Sequence, residues 1–409
     1  MTAELRFGTS SWPGAEIDQR ARRLAGGIDK LGVAEGEVVA VMLRNDPAYI
    51  DLIQAARILG CYTCQVNWHY KADEVGYILR DSGARVLLVN ADLLPAIAAA
   101  IPAAVVVLAL GGSADVALPL QGAFDYHSWL DQQQPYAGPA RTPRSNMAYT
   151  SGTTGRPKGV RRLPFPVEQQ AARQQQVAAV VHATFGIGPG VRALISAPLY
   201  HSAAGLFAQQ AMQQGACLVL EPRFDAEQFL AQVEQHRIEV VYLVPIMYVR
   251  LLRLPLDVRT RYDLSSLSFV ASTGSPCAPE IKQAMIDWFG PVIYETYASS
   301  ETGMLTVIQP LDASCKPGSA GRVVGDAVIR IFNSNGQLCA NGEIGTVYGR
   351  QPAYSDFTYN NNDAARRAME RDGLISVGDM GYLDDDGYLY ICDRASDMVI
   401  SGGVNIYPS

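Results

Sequence analysis

What most constrains this chain is the repeated exchange of two hydrophobic periods along it. Between Ala15 and Val89, apolar residues first recur at helical spacing (Ala21, Leu24, Ala25, Ile28, Leu31). They then condense into short unbroken runs such as Val38-Val39-Ala40-Val41-Met42-Leu43. This alternation predicts βα layering, because a helix stripe and a sheet face each need the other to be buried. Gly32, Gly60 and Gly83 each follow a periodic segment, as helix-terminating glycines do. The alternation returns after Pro166 with a long helix rich in Gln and Ala. Strands then follow near Ala193–Ser196, Ala216–Leu220, Val240–Leu243 and Leu267–Ala271, each separated by a helix-length segment. From about Gly318 the texture changes. Turn pairs such as Asn335-Gly336, Asn341-Gly342 and Asp386-Gly387 now punctuate short alternating runs, which predicts a small β-rich subdomain. The expected fold class is therefore α/β, with two layered lobes at 1–165 and 166–317 and the β-rich unit at 318–392.

Charge narrows the partners. The 33 Lys+Arg against 40 Asp+Glu leave a net charge of -7 in 409 residues, so there is no general pull toward nucleic acid or an anionic membrane. Any anionic ligand must be held locally. The first residues carry no apolar stretch of signal-peptide length, and the run from Ala98 to Leu110 is broken by Pro102 and too short to span a bilayer. We therefore expect a cytoplasmic chain with no integral membrane segment. Seven cysteines are scattered along it; Cys61-x-x-Cys64 lies in an apolar stretch and reads as buried packing, without a disulfide framework.

The sharpest local feature is Tyr149-Thr150-Ser151-Gly152-Thr153-Thr154-Gly155-Arg156-Pro157-Lys158-Gly159-Val160, placed after a short β-rich run. Its glycines permit close backbone approach, the hydroxyls of Thr150, Ser151, Thr153 and Thr154 can donate, and Lys158 supplies a cation. That is what a row of phosphate oxygens requires. A Walker loop needs Gly-Lys-Ser/Thr at the opening of a helix, whereas Lys158 stands between Pro157 and Gly159, which argues against a kinase or GTPase.

The string resembles the signature loop of the adenylate-forming (AMP-binding) superfamily, which includes acyl-CoA synthetases, firefly-type luciferases and nonribosomal peptide adenylation domains. Three further segments stand in that family's order. The first is Ala197-Pro198-Leu199-Tyr200-His201-Ser202-Ala203-Ala204-Gly205, and the second is Ser272-Thr273-Gly274-Ser275-Pro276 followed by Tyr294-Glu295-Thr296-Tyr297-Ala298-Ser299-Ser300-Glu301-Thr302-Gly303. The third is Ser376-Val377-Gly378-Asp379-Met380-Gly381-Tyr382 with Asp393-Arg394 downstream. The resemblance implies the large N-terminal domain of an AMP-forming ligase, its β-rich subdomain a distorted barrel. It also implies a nucleotide site made of Thr150, Ser151, Gly152, Thr153, Thr154, Gly155, Thr273, Gly274, Ser275, Pro276, Glu295, Thr296, Tyr297, Ala298, Asp379 and Arg394. Within that site it gives Tyr297 to adenine, Ser300 to the α-phosphate, Asp379 and Arg394 to the ribose, and Glu301 with Thr154 to Mg2+. Lys158, Ser300, Glu301 and His201 become the catalytic set, His201 as the gate of an acyl pocket.

Tyr200, His201, Gly205, Leu206, Val244, Met247, Gly274, Ala298 and Met304 are the expected lining of that pocket. No Asp stands near the gate to pair with a substrate ammonium, so the expected acid has an uncharged fatty or aryl tail. The implied cofactors and partners are ATP, Mg2+, coenzyme A and a small-molecule carboxylic acid, and the implied product is an acyl-CoA made through acyl-AMP. Two alternatives are a non-catalytic AMP- or acyl-adenylate-binding module and a ligase of this superfamily with an acceptor other than CoA. Three positions depart from the family pattern: Ala298 for a Gly, Ser300 for a Thr, and Ser396 for the Asp or Lys of the hinge. Residues 393–409 resemble that hinge, and the C-terminal domain that follows it in the family is expected to be absent, with impaired turnover.

Overall fold

The computed structural model describes residues 2–111, 120–150, 156–394, 399–401 and 404–406, of which 394, 399–401 and 404–406 are described by backbone alone. Two large sheets and one small one organise the chain. The first sheet runs in the spatial order Phe357–Tyr359, Lys158–Arg162, Asn146–Thr150, Tyr62–Gln65, Val38–Met42, Ala84–Asn90, Val106–Leu110, Phe124–Asp125. From Asn146–Thr150 onward its neighbours are parallel, and the two strands on the other side are antiparallel. Val38–Met42 is buried at every residue, as a strand covered on both faces must be.

The second sheet runs Arg322–Val323, Gly303–Ile308, Ile293–Ser299, Phe269–Ser272, Val240–Leu243, Arg192–Ile195, Cys217–Leu220, Glu4–Phe7, Ser10–Trp12. Its central strands are parallel, and their carboxyl ends deliver the loops that begin at Ser196, Val244 and Thr273 to one edge. The third sheet is small and antiparallel, built on Val328–Phe332, Gly345–Arg350, Asp379–Leu383 and Leu389–Arg394. The α/β lobes and β-rich unit expected from the sequence are thus present.

Two segments cross the ranges drawn for those lobes. Glu4–Phe7 pairs in parallel with Cys217–Leu220, so the N-terminus completes the second sheet, and Phe357–Tyr359 pairs with Lys158–Arg162, so a late segment completes the first. Periodicity marks a strand without naming its partner, which is why contiguous ranges missed both exchanges.

The lobes share one continuous apolar core that includes Tyr49 and Leu52 from the first lobe and Phe185, Phe207, Leu194 and Val241 from the second. Polar bonds fix their relation. Asn45 donates through Nδ2 to the carbonyls of Ala197 (3.0 Å) and Glu221 (2.9 Å) and accepts from the Leu199 amide (2.9 Å). Tyr49 Oη and Gln65 Nε2 both donate to Leu199 O, at 2.9 and 3.1 Å. The segment leading to His201 is therefore pinned from the opposite lobe. Cys61 and Cys64 are buried free thiols whose pKa values burial pushes up to about 12, as inert packing residues require. No helix among the described residues is long and apolar enough to cross a membrane.

Candidate functional site

The strand Asn146–Thr150 and the strand Lys158–Arg162 form an antiparallel pair in which Thr150 stands opposite Lys158. Ser151, Gly152, Thr153, Thr154 and Gly155, the expected phosphate cradle, lie outside the described residues. What the pairing does set is the pair of stems. Tyr77 Oη donates to Pro157 O at 3.0 Å, Asn360 N donates to Gly159 O at 2.8 Å, and Lys158 Nζ lies 5.2 Å from the centre of the Tyr359 ring.

Against these stems sits the turn carrying Ser300 and Glu301. The strand Ile293–Ser299 pairs antiparallel with Gly303–Ile308, with an irregularity between Tyr297 and Ala298 that re-aims the chain as it enters the turn. Ser299 Oγ accepts from Thr302 N at 2.9 Å, and Gly303 closes the turn at φ 79°, where a side chain would run into the Tyr354 ring. Glu301 is only 7% exposed. Its Oε1 accepts from Thr150 Oγ1 at 2.9 Å and from Tyr359 Oη at 3.0 Å, and no salt bridge among the described residues neutralises it. Burial and the neighbouring Glu301 charge push the Tyr359 phenol well above its ordinary pKa, so it stays a hydrogen-bond donor.

The other expected residues join this centre one contact at a time. Ser300 Oγ lies 3.3 Å from Ser202 Oγ, at the start of the helix Ser202–Gln214, whose N-cap position is His201. The His201 ring leans on Tyr200, with ring centres 4.4 Å apart, and the enclosing walls lower its pKa by desolvation although the residue is open on one side. Thr273 Oγ1 donates to Thr296 O at 2.8 Å, which ties the 272–276 turn to the strand carrying Tyr297. Gly274, Ser275 and Pro276 form an exposed lip, with Gly274 at φ 94°. Tyr297 Oη donates to Asp379 Oδ2 at 2.6 Å, which brings the small sheet onto the second lobe; Asp379 faces Arg394 across its strand pair, and the Arg394 side chain lies outside the described residues.

The family model of AMP-binding enzymes matches residues 3–356. The chain is a member of that family. It is 32% identical to an indoleacetate–CoA ligase of Aromatoleum aromaticum and 30% identical to a feruloyl-CoA synthase of an Amycolatopsis species, in each case across 99% of this chain and 78% of the relative. An O-succinylbenzoate coenzyme A synthetase from Bacillus subtilis, solved in complex with ATP and magnesium ion, superposes with a TM-score of 0.81. That match has 25% identity over 100% of this chain and 80% of the other.

Several side chains of this AMP-binding enzyme lie elsewhere than its motifs led us to expect. Glu295 turns to the helix Pro279–Phe289 and pairs with Lys282 Nζ at 2.8 Å, both largely buried. Strand alternation explains this: residues 293, 295 and 297 share the face toward that helix, and Thr296 points away, with Thr184 O 3.5 Å from its hydroxyl. Of the expected acyl-pocket residues, Met247 and Met304 are core, and Met304 Sδ accepts from Thr184 Oγ1 at 2.8 Å. Gly205 abuts Gln65, whose amide a Cβ would strike, and Gly205 and Leu206 border a small cavity with Ile53, Asn146 and Gln65 on the first-lobe side. Val244 caps the helix Pro245–Leu252, and Ala298 stands opposite Met304 across the strand pair.

Sequence reasoning missed Tyr359 and Arg162. The fragment Phe357-Thr358-Tyr359 had a strand's alternation, and Arg162 closed the same strand as Lys158. Neither signal said that both would meet Glu301.

Proposed function

We propose that this chain activates a fatty or aryl carboxylic acid as its acyl-adenylate and serves the formation of an acyl-CoA. The observation that carries the reading is the convergence on Glu301, where a buried carboxylate receives two hydroxyl donors and lies beside the strand that presents Lys158. The names of the two curated relatives favour an aryl acid within that class.

Magnesium enters this reading as part of the substrate Mg-ATP. Among the described residues no cluster of three ligating side chains exists that would hold a resident metal. One buried carboxylate fits a cation that brings its own phosphate oxygens, since Mg2+ is commonly held by one or two carboxylates plus phosphates. Glu301 would supply that oxygen, and Lys158, Thr150 and the cradle residues Ser151, Thr153 and Thr154 would receive the phosphates. Tyr297, fixed through its hydroxyl, would cover the adenine against the 274–276 lip. Asp379 and Arg394 would take the ribose.

The chemistry then needs no protein nucleophile. The substrate carboxylate oxygen attacks the α-phosphorus in line, the bond to the bridging oxygen breaks, and pyrophosphate departs with its charge balanced by the cation and Lys158. In the second step the CoA sulfur attacks the acyl carbonyl, AMP leaves, and the thiol proton is released. Ser300 would donate to the α-phosphate, and His201, whose pKa desolvation lowers, would border the acid.

The test is acid-dependent exchange of pyrophosphate into ATP over a panel of aryl, branched and straight-chain acids. We expect exchange with at least one aryl acid and a loss of about a hundredfold in Glu301→Gln, roughly 2.7 kcal/mol of transition-state stabilisation. The overturning result is ADP as the nucleotide product, or exchange in Glu301→Gln equal to the unmodified protein.

A further inference from the structure

We infer that Arg162 is the positioning residue for Glu301: it fixes where that carboxylate meets the divalent cation that travels with ATP. The inference rests on the reading of Glu301 given above. Arg162 ends the strand that begins with Lys158, and strand alternation places 158, 160 and 162 on one face. The residue is half-buried. Nη2 donates to the carbonyl of Ser300 at 2.7 Å and to that of Glu301 at 3.1 Å, while Nη1 donates to Ser355 O at 2.6 Å. The rings of Tyr354 and Phe357 lie 5.3 and 6.0 Å from its central carbon.

The bonding is unusual for a cation drawn partly into the protein. Even partial burial commonly brings a carboxylate into direct contact, because desolvating a lone charge is costly. Among the described residues Arg162 forms no salt bridge, and its hydrogen bonds end on three backbone carbonyls from two separate segments. Burial lowers its pKa, and the nearby Glu301 and Asp356 carboxylates oppose that fall. A staple that served packing alone needs no charge at all. A planar fork of fixed N–H directions is, however, the one side chain that can hold Ser300, Glu301 and Ser355 by their main-chain oxygens together.

The connections around it give the fork a purpose. Arg162 binds the main chain of Glu301 from one side, and Tyr359, on the strand paired with that of Arg162, binds its carboxylate from the other. Lys158 and Glu301 are thereby held by the same strand pair. The spacing between the phosphate-facing cation and the cation-facing carboxylate is set here and not by the Ser300–Glu301 turn alone. Misplacement of such a group by an ångström is enough to cost about a hundredfold where geometry controls the reaction.

The variants are Arg162→Lys, which keeps the charge and most of the stem, and Arg162→Met, which keeps the bulk. Mn2+ is titrated into protein plus ATP and followed by electron paramagnetic resonance, AMP binding is measured by calorimetry without metal, and the melting temperature is recorded. We expect Mn2+ affinity of the ATP complex to fall at least tenfold in both variants while the AMP dissociation constant stays within twofold. If Arg162→Met does not fold, Arg162→Lys decides alone. Mn2+ affinity within twofold of the unmodified protein in a folded variant overturns the inference, as does an equal loss of Mn2+ and AMP affinity. Should the unmodified protein bind Mn2+ no better with ATP than ATP does by itself, the reading of Glu301 falls and this inference with it.

Discussion

Two buried carboxylates in this molecule are built alike and put to different use. Asp51, in the helix Pro47–Ile58, is fully buried; its Oδ2 accepts from Arg20 at 2.5 Å and from Tyr126 Oη at 3.1 Å, and Oδ1 has no hydrogen-bond partner among the described residues. Glu301 likewise gathers two donors on one oxygen, but both are hydroxyls, and its nearby arginine grips the main chain instead. The Asp51 charge is spent inside the protein on an arginine that also rests on Trp12. The Glu301 carboxylate is oriented without a direct ion pair among the described residues. A buried carboxylate without a direct ion pair beside a lysine-bearing hairpin is suited to an incoming cation, whereas one closed by a direct ion pair is suited to joining helices.

The largest expected effect tests the structural member. Arg20→Met should cost about 3–5 kcal/mol at pH 7, because it strands a buried charge, and should leave AMP affinity within twofold. Chemical denaturation and calorimetry check both halves, and the contrast fails if nucleotide affinity falls with stability. Next comes pH. Burial raises the Asp51 pKa from 3.8 to about 6, against the pull of Arg20 and Tyr126; Asp46, whose pKa burial also raises, belongs to the same cluster. The folded pKa exceeds the unfolded one, so the native state binds the extra proton. That stabilisation is complete below about pH 4 and is lost as pH rises through 6. Relative to Asp51→Asn, the unmodified protein should therefore lose about 2 kcal/mol of stability between pH 4 and 6. A difference that is flat across this window breaks the comparison. The smallest effect is on the functional member: Tyr359→Phe removes one of the two donors to Glu301 and should lower pyrophosphate exchange about tenfold, roughly 1.4 kcal/mol, with little change in stability. Exchange unaltered in this variant would leave Thr150 as the donor that matters.

Most of the site's components were legible in sequence, and most of its wiring was not. The strand–loop–strand around Lys158 and the turn after Tyr297 are local signals of glycine, hydroxyl and β-branched content, readable at short range. Glu295 shows the limit. Its place in the 294–303 motif was legible, but its strand face, and hence its pairing with Lys282 thirteen residues earlier, depended on which helix covers that face. Gly205 was legible as a small residue and only the packed structure supplied Gln65 as its reason. Arg162 was visible as one basic residue among several near the hairpin, with nothing local to separate a solvated arginine from a half-buried fork.

The sequence by itself determined the α/β layering, the β-rich texture of residues 318–392 and the family resemblance, because period, turn chemistry and motif residues act over a few positions. Tertiary structure alone decided that the N-terminal strand completes the second sheet, that Phe357–Tyr359 completes the first, and that Thr150, Tyr359 and Arg162 close on Glu301. Those choices join residues 58 to 213 positions apart. They are made by whichever partner buries a strand edge or satisfies an oxygen once water is excluded, and that information resides in the packed whole.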